Sequence, residues 1–130
     1  MSGRSLIFNQ TILIMNISIA RIYENKETSD EVRILVDKLW PRGISKEEAH
    51  LDEWFKDWAP SDDLRNKFHD DNLSWSEFSK KYKQELKDQK DQIQDDLDEI
   101  DKRKSVLLLY GSKDKEQNNA VVLKEFLEKL

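Results

Sequence analysis

The sequence predicts a small α/β domain, a short and mostly parallel sheet in a three-layer-like arrangement with four or five helices. Three observations carry this. Residues 105–110, Ser-Val-Leu-Leu-Leu-Tyr, form an apolar run with Gly111 behind it and a long helical stretch before it. That is the pattern of a central strand reached by a crossover and paired in parallel. Two further β-rich segments stand near the start, around Ile17 and Val32. Two Ser-x-x-Glu capping boxes, Ser45 with Glu48 and Ser74 with Glu77, mark helix starts between them and the central strand.

In chain order, Leu6 to Phe8 and Thr11 to Met15 are apolar but interrupted by Asn9 and Gln10, too broken for a membrane span. Arg4 ahead of them imitates a signal peptide, yet no small-x-small cleavage site follows, and Met15-Asn-Ile-Ser reads like a second start. Residues 1–14 are therefore expected to be an extension, and residues 15–130 one domain, since 130 residues suffice for one core and not for two. Ile17, Ile19 and Ile22 predict a first strand, residues 24–31 a polar hairpin or wide turn, and residues 32–36 a more buried strand. After the Ser45 capping box, Leu51, Trp54, Phe55 and Trp58 recur at helical spacing, which predicts an amphipathic helix over 46–58 ended by Pro60. Ser61 with Asp62 and Asp63 predicts a second helix start, with Leu64 and Phe68 on one face. From Trp75 the stripe Phe78, Tyr82, Leu86, Ile93, Leu97 and Ile100 runs nearly to Lys104, with a break expected within 87–91. Ala120, Leu123, Phe126, Leu127 and Leu130 form the stripe of a last helix starting near Asn118.

Composition excludes several chemistries. Charged residues are 38% of the chain, yet four Trp, five Phe and three Tyr supply core side chains, so the chain is expected to fold. The absence of cysteine removes disulfides, thiolate metal sites and cysteine nucleophiles, and fits a cytoplasmic setting. A net charge of −5 opposes a broad grip on nucleic acid or an anionic membrane. Lys80, Lys83, Lys87 and Lys90 make a basic stripe, but Glu85, Asp88 and Asp91 dilute it.

The strings Leu-Val-Asp-Lys-Leu-Trp-Pro-Arg-Gly at 35–43, Trp-Phe-Lys-Asp-Trp-Ala-Pro-Ser at 54–61, Tyr-Lys-Gln-Glu-Leu at 82–86, and Leu-Leu-Tyr at 108–110 through Asn-Asn-Ala-Val-Val-Leu at 118–123 resemble the YeaO-like proteins, a domain of unknown function numbered 488. The resemblance runs from about Ile17 to Leu127 and implies a small α/β fold and a cytoplasmic location, with no assigned chemistry. This chain departs from the family pattern at Lys38, where Arg is usual, and at Gln117, where His is usual, so no imidazole role transfers to that position.

Open α/β sheets bind ligands at the carboxyl ends of their strands. Asp37 stands there, where a carboxylate serves as base, ligand contact or anchor for the next turn. Arg42, between Pro41 and Gly43, offers a planar fork for a carboxylate or phosphate, with an internal pair to Asp37 as the competing role. Trp40 either stacks on a planar ligand or covers the core. Tyr110, Ser112, Lys113 and Asp114 hold the matching position after the last strand, and parallel pairing would bring them beside Lys38 and Arg42. Asn118 either contacts ligand or caps the last helix, whose N-terminus favours an anion.

Gly43 and Gly111 are isolated, so neither a Walker loop nor a dinucleotide fingerprint is present, and no cofactor is implied. His50 and His69 lack partners at ligand spacing, Ser112 lacks a nucleophile elbow, and the Asp95 to Asp101 cluster lacks the alternation of a calcium loop, so no metal site is expected. The expectation is an anionic or nucleotide-like small molecule held by Lys38, Arg42 and Lys113, with Asp37 or Asp114 as general acid or base if a reaction occurs. The competing expectation is a noncatalytic regulatory or interaction domain that recognises a protein partner through Trp40 or the basic helix.

Overall fold

The computed structural model describes residues 16–101 and 103–130; the expected extension at 1–14 lies outside them. Four strands, β1 (Ile17–Arg21), β2 (Val32–Leu35), β3 (Glu53–Trp54) and β4 (Val106–Tyr110), form one sheet in the order β1-β4-β2-β3. Every pairing is parallel: Ile19 and Ile34 both lie opposite Leu108, and Leu35 opposite Trp54. Among the described residues five helices accompany them: α1 (Lys46–Ala49), α2 (Asp62–His69), α3 (Trp75–Asp88), α4 (Lys90–Asp98) and α5 (Asn119–Glu128).

The central strand is apolar throughout because both of its faces are covered. Val106, Leu108 and Tyr110, with Val32 and Ile34, meet a large core built from Leu64, Phe78, Tyr82, Leu86, Ile93, Leu97, Leu123 and Leu127 of α2 to α5. Leu107, Leu109 and Leu35 point the other way, to Ile22, Ile44 and Ala49, with Trp40 and Trp54 packed around them. This second face is closed by loops and the single turn of α1, so the third layer is thin.

The structure decides one open alternative and corrects one helix. Of the hairpin and wide turn expected for residues 24–31, the hairpin is excluded: β4 lies between β1 and β2, and all three run the same way, so this segment carries the chain across the sheet. The helix expected over 46–58 stops after one turn. His50 takes a left-handed conformation (φ 49°), and Asp52 then binds β2, its carboxylate accepting the Arg33 amide at 2.8 Å and its own amide donating to the Arg33 carbonyl at 2.8 Å. The Phe55 amide donates to the Leu35 carbonyl at 3.1 Å, which makes β3 an edge strand. Leu51 and Trp54 pack on one face of the sheet, Phe55 and Trp58 on the other. Helical spacing here reflects a crossing of the sheet edge.

Local signals that close on themselves are realised as expected. Both capping boxes form, Ser61 caps α2 by accepting from the Leu64 amide, and the α3 stripe breaks at Gln89. Arg33 is 3% exposed, and its guanidinium donates to the carbonyls of Glu27 (3.0 Å), Ala49 (2.9 Å) and His50 (3.0 Å), as well as to that of Asn25. One buried cation thus ties the crossover loop to the end of α1 through neutral acceptors.

Candidate functional site

β2 and β4 are neighbours whose onward connections leave on opposite faces: α1 places Ala49 in the second core, and α5 places Ala120 and Leu123 in the first. Such a divergence opens a crevice beyond the strands' carboxyl ends. A cleft of about 740 Å³ lies there. Residues 37–42 after β2 and 111–114 and 117–119 after β4 contribute to its walls, joined by Arg65, Phe68 and His69 of α2 and Phe78 of α3. The two loops that the sequence singled out therefore share one concavity.

Asp37 anchors the cleft floor. Its Oδ2 accepts the Gly111 amide at 2.8 Å and its carbonyl accepts Trp54 Nε1 at 2.8 Å, while the Asn119 side chain donates to the neighbouring Val36 carbonyl at 2.9 Å. A Cβ on residue 111 would stand 3.1 Å from that Oδ2, a tight contact that the Asp37 carboxylate would have to yield to. Burial pushes the Asp37 carboxyl above its ordinary value, against the opposing pull of the Gly111 amide, Asn119 and Arg65.

Asp114 is exposed and turns its Oδ1 to the amides of Glu116 and Gln117, both at 2.9 Å, which hold its carboxyl below the usual range. Asn118 is buried, donating to the Asp114 carbonyl at 2.9 Å and accepting the Val121 amide at 3.2 Å, so it caps α5. Tyr110 is 2% exposed in the main core and is not part of the cleft lining, unlike the other expected ligand contacts. Trp40 covers the second core, one of the two roles weighed for it, and stands at the cleft. Its Nε1 donates to the Ile44 carbonyl at 2.6 Å and its ring meets Trp54 edge-on at 5.3 Å, while the residue also lines the cleft.

Four cationic side chains line the cleft, Lys38, Arg42, Arg65 and Lys113, against two carboxylates, Asp37 and Asp114, in a chain of net charge −5. The pair between Arg42 and Asp37 does not form. Arg42 is exposed, its carbonyl accepts the Tyr23 hydroxyl at 2.9 Å, and Gly43 behind it has φ 79°, a turn that glycine accommodates without strain. Neither Arg42 nor Lys113 has an ion-pair partner among the described residues. Lys38 Nζ lies 3.6 Å from Asp62 Oδ1, and Arg65 Nη2 lies 3.3 Å from the same oxygen. Arg65 Nε is buried with no hydrogen-bond partner.

Arg65, Asn119 and the Phe68 and Phe78 wall were not read from the sequence. Arg65 lies three residues before Phe68 on α2, so an arginine on the inward face of a short helix was the available signal. On the basic stripe, Lys83 pairs with Glu125 at 3.0 Å and Lys80, Lys87 and Lys90 are exposed, outside the cleft. Among the described residues no group of His, Asp and Glu could hold a metal ion, and no helix is long and apolar enough to cross a membrane.

Residues 16–130 match the family model described as the inactive DUF488-N3 subclade. The chain is 44% identical over 116 residues to the uncharacterized protein YeaO of Escherichia coli, covering 89% of this chain and 100% of that protein. It is 40% identical over 72 residues to the uncharacterized protein Rv3073c of Mycobacterium tuberculosis, covering 55% of this chain and 61% of that one. The same figures hold for the uncharacterized protein Mb3100c of Mycobacterium bovis. No solved structure gives a significant match.

Proposed function

We propose, from the premise that the chain belongs to the inactive DUF488-N3 subclade, that it is a noncatalytic cytoplasmic module binding an anionic, nucleotide-sized small molecule in the cleft at the carboxyl edge of its sheet. The observation that carries this reading is the cationic excess of the cleft, four cations to two carboxylates, within an acidic chain. Its volume of about 740 Å³ suits a ligand of nucleotide size, and Trp40, Pro41, Pro60, Phe68 and Phe78 supply apolar walls for a ring. Cytoplasmic placement rests on the cysteine-free composition.

A noncatalytic role is supported by the structural use of the two candidate acids: Asp37 Oδ2 accepts the Gly111 amide, and Asp114 Oδ1 accepts two amides of its own turn. A thermal-shift screen of nucleotides, sugar phosphates and organic acids tests the reading, with folded Arg42→Ala alongside. A stabilising hit in the wild type that is lost in Arg42→Ala supports it; no hit in either protein overturns it.

One observation favours a second reading, recognition of a protein partner. Leu39, on the cleft lip beside Trp40, is 61% exposed, the one large hydrophobic so exposed among the described residues. A partner that protects Leu39 and is lost in Leu39→Ser would favour this alternative.

A further inference from the structure

Building on the anion-binding reading of the cleft, we infer that Asp62 is an internal competitor for the ligand, and that the ligand's anchoring group is an oxyanion with two adjacent oxygens, a carboxylate or a phosphate, taken side-on by Arg65. The guanidinium offers Nε and Nη2 along one edge, a matched pair of donors for such a group. In this structure that fork is half filled. Nη2 reaches Asp62 Oδ1 at 3.3 Å, long for a charge-assisted bond, while Nε is buried and has no acceptor. Lys38 reaches the same Asp62 oxygen at 3.6 Å, so one carboxylate engages two of the four cleft cations.

Asp62 is poorly placed to keep them. Its side chain is 64% exposed, and a carboxylate so open to water holds its partners weakly. It is absent from the cleft lining, whereas Lys38 and Arg65 both line it. A ligand oxyanion bridging Nε and Nη2 supplies the missing acceptor and draws both cations from Asp62 into the cleft. Asp62 thereby sets a threshold: an oxyanion that fills the fork displaces it, and a halide, with a single contact point, does not.

The test compares wild type, Asp62→Asn, Arg65→Lys and Asp63→Asn by calorimetric titration with inorganic phosphate, phenyl phosphate, benzoate and chloride. Asp63→Asn is the matched charge control, because Asp63 pairs with Lys67 at 3.2 Å and does not line the cleft. Asp62→Asn should tighten phosphate or benzoate binding by roughly three- to tenfold, through release of two weak ion pairs. Asp63→Asn should show little of this gain. Arg65→Lys, which keeps the charge and removes the fork, should lose the preference for the oxyanions over chloride. Phosphate against benzoate separates the two sources of the oxyanion. Equal gains in Asp62→Asn and Asp63→Asn, or unchanged affinity in Asp62→Asn, overturn the inference. If binding then still depends on Arg42, the cleft reading survives alone; if no probe binds any of the four proteins, both fail.

Discussion

Asp37 and Gly111 are 74 residues apart in the chain and joined by a 2.8 Å hydrogen bond from the Gly111 amide to Asp37 Oδ2. This bond locks the loop after β2 to the loop after β4, and the cleft exists between them. Asp37→Ala leaves the Gly111 amide without its acceptor, and should cost about 1–3 kcal/mol in urea denaturation. Gly111→Ala should cost about 1–3 kcal/mol as well, since its Cβ would stand 3.1 Å from an oxygen held in place. A stability equal to wild type in either variant would remove Asp37 as the anchor.

The raised pKa of Asp37 fixes the sign of a pH effect. Its folded-state value lies above the ordinary 3.8, so the native state takes up this proton before the unfolded chain does. Acidification from neutral pH toward 3.8 should therefore raise the stability of wild type relative to Asp37→Asn, a gain complete below 3.8 and lost as pH rises through the folded value. Glu48, Glu77 and Asp114 have lowered values and act in the opposite sense in both proteins, so the difference between the two denaturation series isolates Asp37. A difference that shifts toward the variant on acidification would contradict the assignment.

The residues legible in the sequence were those whose partners lie within a few positions. Ser45 with Glu48 and Ser74 with Glu77 close the expected capping boxes, and Asn118 with Val121 closes a local hydrogen bond that matches one of the two roles left open for it. The apolar run at β4 was legible because burial on both faces leaves no polar alternation. The segment 46–58 was not, because Leu51, Trp54, Phe55 and Trp58 mimic a helical period while packing on two faces of a sheet edge. In the cleft, Lys38, Trp40, Arg42 and Lys113 follow from the rule that loops at strand ends converge. Arg65 and Asn119 do not, since their place depends on how α2 and α5 pack against that edge.

Arg33 interrupts an apolar strand with a guanidinium that is nearly inaccessible to water, and it meets only carbonyls around its fork. Burial accordingly lowers its pKa, with Asp52 and Glu31 opposing. Arg33→Met would leave several of those carbonyls unsatisfied and should destabilise by about 3 kcal/mol or more. Arg33→Lys keeps the charge but cannot reach residues 25–27 and 49–50 together, so it should recover less than half of that loss. Full recovery by lysine would mean that charge, and not the fork, holds the crossover loop.

Glu85 braces the start of α2, a cleft element, without lining the cleft itself. Its carboxylate accepts the Ser61 amide at 2.9 Å and the Ser61 hydroxyl at 2.6 Å, and that hydroxyl oxygen caps α2 by accepting the Leu64 amide at 3.2 Å. α2 in turn carries Arg65, Phe68 and His69 into the cleft wall, while Glu85 itself is not among the cleft residues. Glu85→Ala should therefore cost about 1–2 kcal/mol through the unsatisfied Ser61 amide and the loosened cap, and the loss should be local. Hydrogen exchange should quicken at Leu64 and Arg65 more than along α3 on either side of the substitution, and binding of any cleft anion should weaken in step. A uniform rise in exchange across the protein would show that Glu85 supports the core as a whole and that α2 is positioned by its apolar contacts alone.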